Sequence, residues 1–302
     1  MGLALLELPL AFAVGVWLQR TLPGDRLRRR AWGVYFWTVT PALAFASFTT
    51  VVVSRALGLA LAAAILASWL VIALGWAYGR LVGCSREERG ALALAAGFPN
   101  TGFLGYPLAQ LAFGHPGLAL MVIYDRLAWL VPSTAISTTI ARLHGERRAR
   151  SRRLRPRVVL ANPPLFAAAA AVALRAAGVD LTAQAHALAT VAGFVVGPAG
   201  FLLLGLALPL DRPEHDAVEL RRASGALAIR FLAAPLVLLA TGAALGADVP
   251  AVFYLAAAMP CAFHLVVLAR VFDVRPQLVR LLVVASTVPA VVAVVAASAL
   301  SS

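Results

Sequence analysis

Of the 302 residues, 62% are hydrophobic and only 13% charged, where soluble domains carry roughly a quarter charged. With a mean hydropathy of +0.88, this excludes a soluble globular domain and describes an all-α polytopic membrane protein. The net charge of +13 comes from 26 basic residues, all arginine, and their placement along the chain assigns them to membrane orientation rather than to nucleic acid.

Ten apolar runs are long enough to cross the hydrocarbon core: 3–19, 32–51, 56–79, 90–113, 116–140, 158–177, 185–209, 223–246, 249–271 and 277–300. The first, within MGLALLELPLAFAVGVWL, has no basic residue ahead of it. It therefore reads as a retained span and not as a signal peptide. The first, third, fifth, seventh and ninth connections, with their flanks, hold 5, 3, 8, 3 and 3 arginines, whereas the fourth and eighth hold none. Retention of arginine on the cytoplasmic side predicts both termini outside. The arginine-only basic content and the abundance of Ala, Val and Leu fit a bacterial protein of the cytoplasmic (inner) membrane.

The fourth run contains AAGFPNTGFLGYPLA, with Pro99, Asn100, Thr101 and Gly102 at its middle. These residues stop helices, and open backbone at that depth is tolerable only against protein or a wet cavity. A break there frees amide groups and a positive half-dipole for an anion. Asn100 and Thr101 are candidates to cap the next half-helix or to donate to a carboxylate. In the fifth run Asp125 lies near mid-depth, where a charge is functional by default, and it is the candidate for exchanging a proton or holding Na⁺. Neighbouring helical residues point apart, so Arg126 is expected to face elsewhere, toward an anion; an Asp125 bridge to Arg126 or Arg230 is the structural alternative.

The basic connection HGERRARSRRLRPR divides the chain into a first repeat over 1–144, a linker over 145–157 and a second repeat over 158–302. Five spans per half require the second half to insert upside down. Consistent with a duplication, LAAGFPNTGFL aligns with LAAAMPCAFHL at five of eleven positions. The pairs Pro99/Pro260, Pro41/Pro198 and Pro132/Pro289 are offset by 161, 157 and 157 residues. The fold expected is two inverted five-helix repeats with helices 4 and 9 broken at mid-membrane, the second break lying at Pro260 and Cys261. His264, one turn later, is a candidate donor to a substrate. Arg230, about seven residues inside the eighth run, is expected to snorkel to the cytoplasmic face.

Cys84 and Cys261 lack metal-ligand or disulfide spacing. Asp125 has no second aspartate in a Gly-x-Gly-Asp motif, and neither HExxH nor Gly-x-Ser-x-Gly occurs, so no enzyme, metal or cofactor is expected. A secondary carrier of a small organic anion fits best. A sodium- or proton-coupled transporter, a passive channel and a ligand sensor stay open.

Four stretches in order, TPALAF, PNTGFLGYPLA, LANPPLFAAA and AAAMPCAFHLVVLARVFD with VVASTVPA, resemble the auxin efflux carrier family. The resemblance implies a substrate-binding crossover between spans 4 and 9, a scaffold of spans 1, 2, 6 and 7, a homodimer, and organic-anion substrates moved by an elevator-like cycle. It matches Asn100 to the family's crossover asparagine, which in plant members contacts a carboxylate. It also matches Asn162 to an Asn-Pro motif near a second polar contact, although the motif here continues Asn-Pro-Pro. Sodium–bile acid symporters and sodium–proton antiporters share the architecture that the resemblance implies.

Overall fold

The computed structural model describes residues 2–21, 25–52, 54–145, 162–208 and 217–300. The linker expected over 145–157 lies outside them apart from Gly145. Among the described residues the chain is helical, and its β pairing is a lone bridge between Pro99 and Cys261.

Helix α1 spans Gly2–Thr21; α2 (Asp25–Val34) continues through a π-helical turn, Tyr35–Val39, into α3 (Thr40–Thr50). Ser54 caps α4 (Arg55–Leu81) by accepting from the Leu57 amide at 3.2 Å. A reciprocal box between Ser85 and Glu88 opens α5 (Arg86–Gly97), the arrangement that satisfies two orphan amides at once. After a break, a π turn at Thr101–Gly105 leads into α6 (Tyr106–Ile123) and a second, Tyr124–Leu130, into α7 (Val131–His144). The second half supplies α8 (Pro163–Ala176), α9 (Thr182–Ala207) and α10 (Ala217–Ala228). A π turn at Ile229–Ala233 joins α10 to α11 (Ala234–Ala244), and α12 (Ala251–Ala257), α13 (His264–Phe272) and α14 (Pro276–Leu300) follow.

Among the described residues five continuous stretches are long and apolar enough to cross a membrane: Arg55–Leu81, Thr101–Ala128, Thr182–Ala207, Ala217–Ala244 and Pro276–Val294. Pro163–Ala176 is apolar but shorter. The contrast with ten apolar runs has a physical cause at two of them. The runs 90–113 and 249–271 are each divided by a break, leaving α5 with 12 residues, α12 with 7 and α13 with 9. Within Thr101–Ala128, Gly114 takes φ 66° and interrupts the helix near the expected boundary between runs four and five.

The helices pack as two sets that also touch through α1 and α14. Helix α1 lies along α9, and α3 packs against both α8 and α9. The first contact is close because Gly15 and Gly205 face one another; a Cβ on Gly205 would collide with the Phe12 carbonyl, so small residues set the approach as they do between membrane helices. In the other set α4 packs against α5 and α11, and α7 and α14 lie against α5. Helix α6 reaches across to α3 and α9, bringing the first break to the junction of the sets. Phe194 (78% exposed), Phe166 (63%) and Trp37 (63%) face outward, as suits contact with lipid chains.

Candidate functional site

Helix α5 ends because Pro99 has no amide to donate and forces the preceding residue out of the helical region; Phe98 is extended at φ −106°, ψ 101°. Helix α12 stops at Ala257, just before Pro260. The opened strands meet. The Asn100 amide donates to the Pro260 carbonyl at 2.7 Å and the Ala262 amide to the Phe98 carbonyl at 2.8 Å, the two bonds of an antiparallel bridge. Backbone released by each break is thus paired by the other, as unsolvated backbone must be. The Cys261 amide donates to Ser286 Oγ at 3.1 Å and Cys261 Sγ to the Ala95 carbonyl at 3.3 Å, fixing the bridge to α14 and α5.

Four helix ends converge at the bridge. Two are carbonyl ends, at the termini of α5 and α12. Arg230, 2% exposed, serves both: Nη1 donates to the Ala96 carbonyl at 2.7 Å and Nη2 donates to the Ala257 carbonyl. The guanidinium does not snorkel, contrary to the sequence expectation, because its fork finds two acceptors carrying the negative partial charge of helix termini. The other two are amide ends, opening Thr101–Gly105 and α13; the Asp125 carboxylate lies beside the first, on the Thr101 hydroxyl. Asn100 is 3% exposed; its Oδ1 accepts from the Phe103 amide at 3.3 Å, while Nδ2 is buried without a hydrogen-bond partner. Space beside Gly102 is open, since a Cβ there would meet nothing within 4 Å, and its carbonyl accepts from Tyr35 Oη at 3.2 Å.

Next to the amide ends sits a charged network. Thr101 Oγ1 donates to Asp125 Oδ1, and Tyr106 Oη donates to Asp125 Oδ2 at 2.7 Å. Arg126 Nη2 donates to Tyr106 Oη at 2.8 Å and lies 3.2 Å from Asp125 Oδ2. The expectation that Arg126 turns away from Asp125 is therefore corrected. Both residues belong to the wider π turn Tyr124–Leu130, which reduces the angle between neighbours below that of an α-helix, and both converge on Tyr106. Thr101 is at the break as expected, with its hydroxyl proton committed to Asp125.

His264 begins α13, is exposed, and meets the Phe98 ring edge-on with centroids 6.0 Å apart, so it lies beside the break. Asn162 does not join this group through any hydrogen bond: its Oδ1 caps α8 by accepting from the Leu165 amide at 3.3 Å. The structure thus brings together Pro99, Asn100, Thr101, Gly102, Asp125, Pro260, Cys261 and His264, and gives Asn162 a local capping role. Sequence reasoning missed Tyr106, Tyr35 and Ser286. Tyr106, fully buried, carried a usable signal, because a tyrosine deep in an apolar run must find a partner for its hydroxyl.

Over residues 34–297 the chain matches the family described as membrane transport protein. It is also 30% identical over 220 residues to an uncharacterized transporter of Methanothermobacter thermautotrophicus, an alignment covering 72% of this chain and 69% of the relative.

Proposed function

The chain belongs to the auxin efflux carrier family of membrane transport proteins, and from that premise we propose that it is a secondary carrier of small organic anions, carboxylates in particular. In this reading ten spans form two inverted repeats in the bacterial inner membrane, with both termini outside. The interrupted helices are the crossover, one helix set slides against the other as an elevator, and the carrier works as a homodimer.

One observation carries the choice of an anion: Arg230 already occupies both carbonyl ends of the broken helices. A pair of carbonyl ends would attract a cation, and that role is filled from within the chain. On the amide side Asp125 is held by Thr101 and Tyr106 and paired with Arg126, and Asn100 keeps a buried donor, Nδ2, without a partner; helix N-termini with such donors favour carboxylates and phosphates. His264 and Asn100 hold the guest from opposite half-helices, and Thr101 positions Asp125. Asp125 is then the coupling residue, since the carboxylate bonded to Thr101 senses whatever the neighbouring amide ends bind.

Counterflow of labelled carboxylates in proteoliposomes tests the reading. Asn100→Ala is expected to lower exchange at least tenfold while the protein elutes and melts as the wild type does. Wild-type rates in that variant remove Asn100 from the site, and absence of exchange of any carboxylate rejects the carrier. Asp125→Asn should flatten the dependence of uptake on pH or Na⁺; an unchanged dependence would exclude Asp125 from coupling.

A further inference from the structure

With both termini outside, as the carrier reading has it, the two helix sets are out of level. In the set that holds the break, Gly102 and Phe103 lie at the middle of the run 90–113. Their partners in the other set lie toward its cytoplasmic side. Tyr35, whose Oη donates to the Gly102 carbonyl at 3.2 Å, stands at the inner end of the run 32–51. Gly200 of α9 packs so closely that a Cβ would come within 2.8 Å of the Phe103 carbonyl oxygen. By the helical rise it is ~27 Å from Thr182, the outer end of α9, and only ~10 Å from Ala207, the inner end. The outer tip is offset in the same sense. His115 follows the Gly114 interruption, and a Cβ on Gly193 would lie 3.0 Å from its Cε1, so the tip ends against α9 ~16 Å short of Thr182. Residues seven apart on a helix share a face. On this face Gly200 and Gly193 are buried, whereas His186, the next outward, is exposed.

Resting on the elevator in that reading, we infer that the structure is the cytoplasm-facing end of the stroke. The outward stroke advances the break-bearing set by seven residues of α9, ~10 Å, and seats Phe103 on Gly193 and His115 on His186. Shorter steps are blocked. Four residues outward the Phe103 carbonyl would meet Val196, a branched and fully buried side chain. Three residues outward lies Gly197, but it is turned to α1, where a Cβ would come within 2.9 Å of Leu8 Cδ2. Seven outward, Gly193 again presents a face without a Cβ, and the exposed length of α9 beyond it receives the tip. Gly193 is thus a positioning residue: its missing side chain serves a backbone contact that the present register makes at Gly200.

Cysteine pairs in the reconstituted protein, joined by a short bifunctional maleimide and read as linked peptides from the monomer band, test this. The native Cys84 and Cys261 are buried. His115→Cys with Gly193→Cys is expected to link in the present register, since the new Cβ lies nearest the ring that the same variant removes. His115→Cys with His186→Cys is expected to link as well, more slowly, through visits to the outer register. Adding Gly193→Ala to this second pair should slow its linking at least tenfold, because the methyl group strikes the Phe103 carbonyl only after the stroke. Absence of a link to position 186 overturns the inference. A link that Gly193→Ala leaves unchanged also overturns it, for it would come from a swinging tip alone. Linking reports movement without cargo, so its failure beside intact carboxylate exchange rejects the stroke and leaves the carrier standing. The expected links without exchange of any carboxylate keep the stroke and reject the anion carrier.

Discussion

Replacing Arg230 by methionine asks whether the guanidinium organises the break or merely fits beside it. Arg230 is 2% exposed, with Nη1 2.7 Å from the Ala96 carbonyl oxygen and Nη2 on the Ala257 carbonyl. Hydrogen bonds from a charged donor contribute about 1.5–3 kcal/mol each, so the variant forfeits roughly 3–6 kcal/mol of interaction. Against this, removing a buried charge returns a desolvation penalty of several kcal/mol. The loss wins because the two carbonyls remain, at the negative ends of α5 and α12, with no other donor in place; breaking a buried pair from one side destabilises by about 3–5 kcal/mol. Methionine nearly preserves the volume, which keeps a cavity contribution small. At the low end of about 2–4 °C per kcal/mol, the expected fall in melting temperature is roughly 5–10 °C. Tryptophan fluorescence during thermal unfolding in detergent measures it. Arg230→Lys should fall between, since an ammonium keeps the charge but lacks the fork that spans two acceptors. A methionine variant that melts with the wild type and binds carboxylates equally well would refute the claim that one cation holds both helix ends.

Three other perturbations probe the frame around the site. Gly205→Val should push α1 from α9, because the added Cβ meets the Phe12 carbonyl, and overpacking of this kind costs about 1–3 kcal/mol. The exposed Val191→Leu is the control, and equal melting of both variants would dismiss the close approach. Glu88→Ala removes the acceptor for the Ser85 amide at 2.8 Å and the partner of Arg222 at 3.0 Å and Arg275 at 3.2 Å; loss of about 2–3 kcal/mol is expected, with Glu88→Gln losing less, and chemical unfolding gives the difference. His144 lies beyond the expected span 116–140, where Trp76 Nε1 donates to its Nε2 at 3.1 Å and its Nδ1 donates to the Ile140 carbonyl at 3.0 Å. Burial holds its pKa below the usual 6.5, so the folded protein favours the neutral ring. The resulting stability is complete above the unfolded value and is lost as pH falls through the lower folded one. Melting temperatures between pH 8 and pH 5 should drop more for wild type than for His144→Gln; parallel curves would show that His144 does not titrate against folding.

The break at Pro99 was legible because proline and glycine act locally, and the matching break at Pro260 because a weak repeat points to it. The pairing of the two required only that freed backbone find partners. Arg230 was misread for an equally physical reason: its partners are main-chain carbonyls of Ala96 and Ala257, and a sequence does not display which carbonyls a distant break leaves free. The π turns at Tyr35–Val39, Thr101–Gly105, Tyr124–Leu130 and Ile229–Ala233 were invisible, since hydrophobic periodicity does not register one extra residue in a turn. Yet Tyr35, Thr101, Asp125, Arg126 and Arg230 all lie on them. Wide turns of this kind gather at functional sites, and here they aim polar side chains at a break that regular helices would have bypassed. The reasoning that turned Arg126 away from Asp125 failed for want of that one feature.

Charge balance connects these pieces to transport. If Arg126 and Arg230 stand against Asp125 alone, an elevator that returns empty carries one positive charge through the field, and one that returns with a monovalent carboxylate carries none. A full charge crossing 100 mV gains or loses about 2.3 kcal/mol, enough to alter a rate substantially. Exchange of one labelled carboxylate for another should therefore be insensitive to an imposed potential, while net uptake, which needs the empty return, should depend on it. Valinomycin-clamped proteoliposomes separate the two modes. In Arg230→Met the empty site would be neutral and the loaded one negative, so the sensitivity should move from net uptake's empty step to exchange itself. Exchange that follows voltage in the wild type would mean that the guest does not cancel the buried charge, and the balance drawn from Arg126, Arg230 and Asp125 would be refuted.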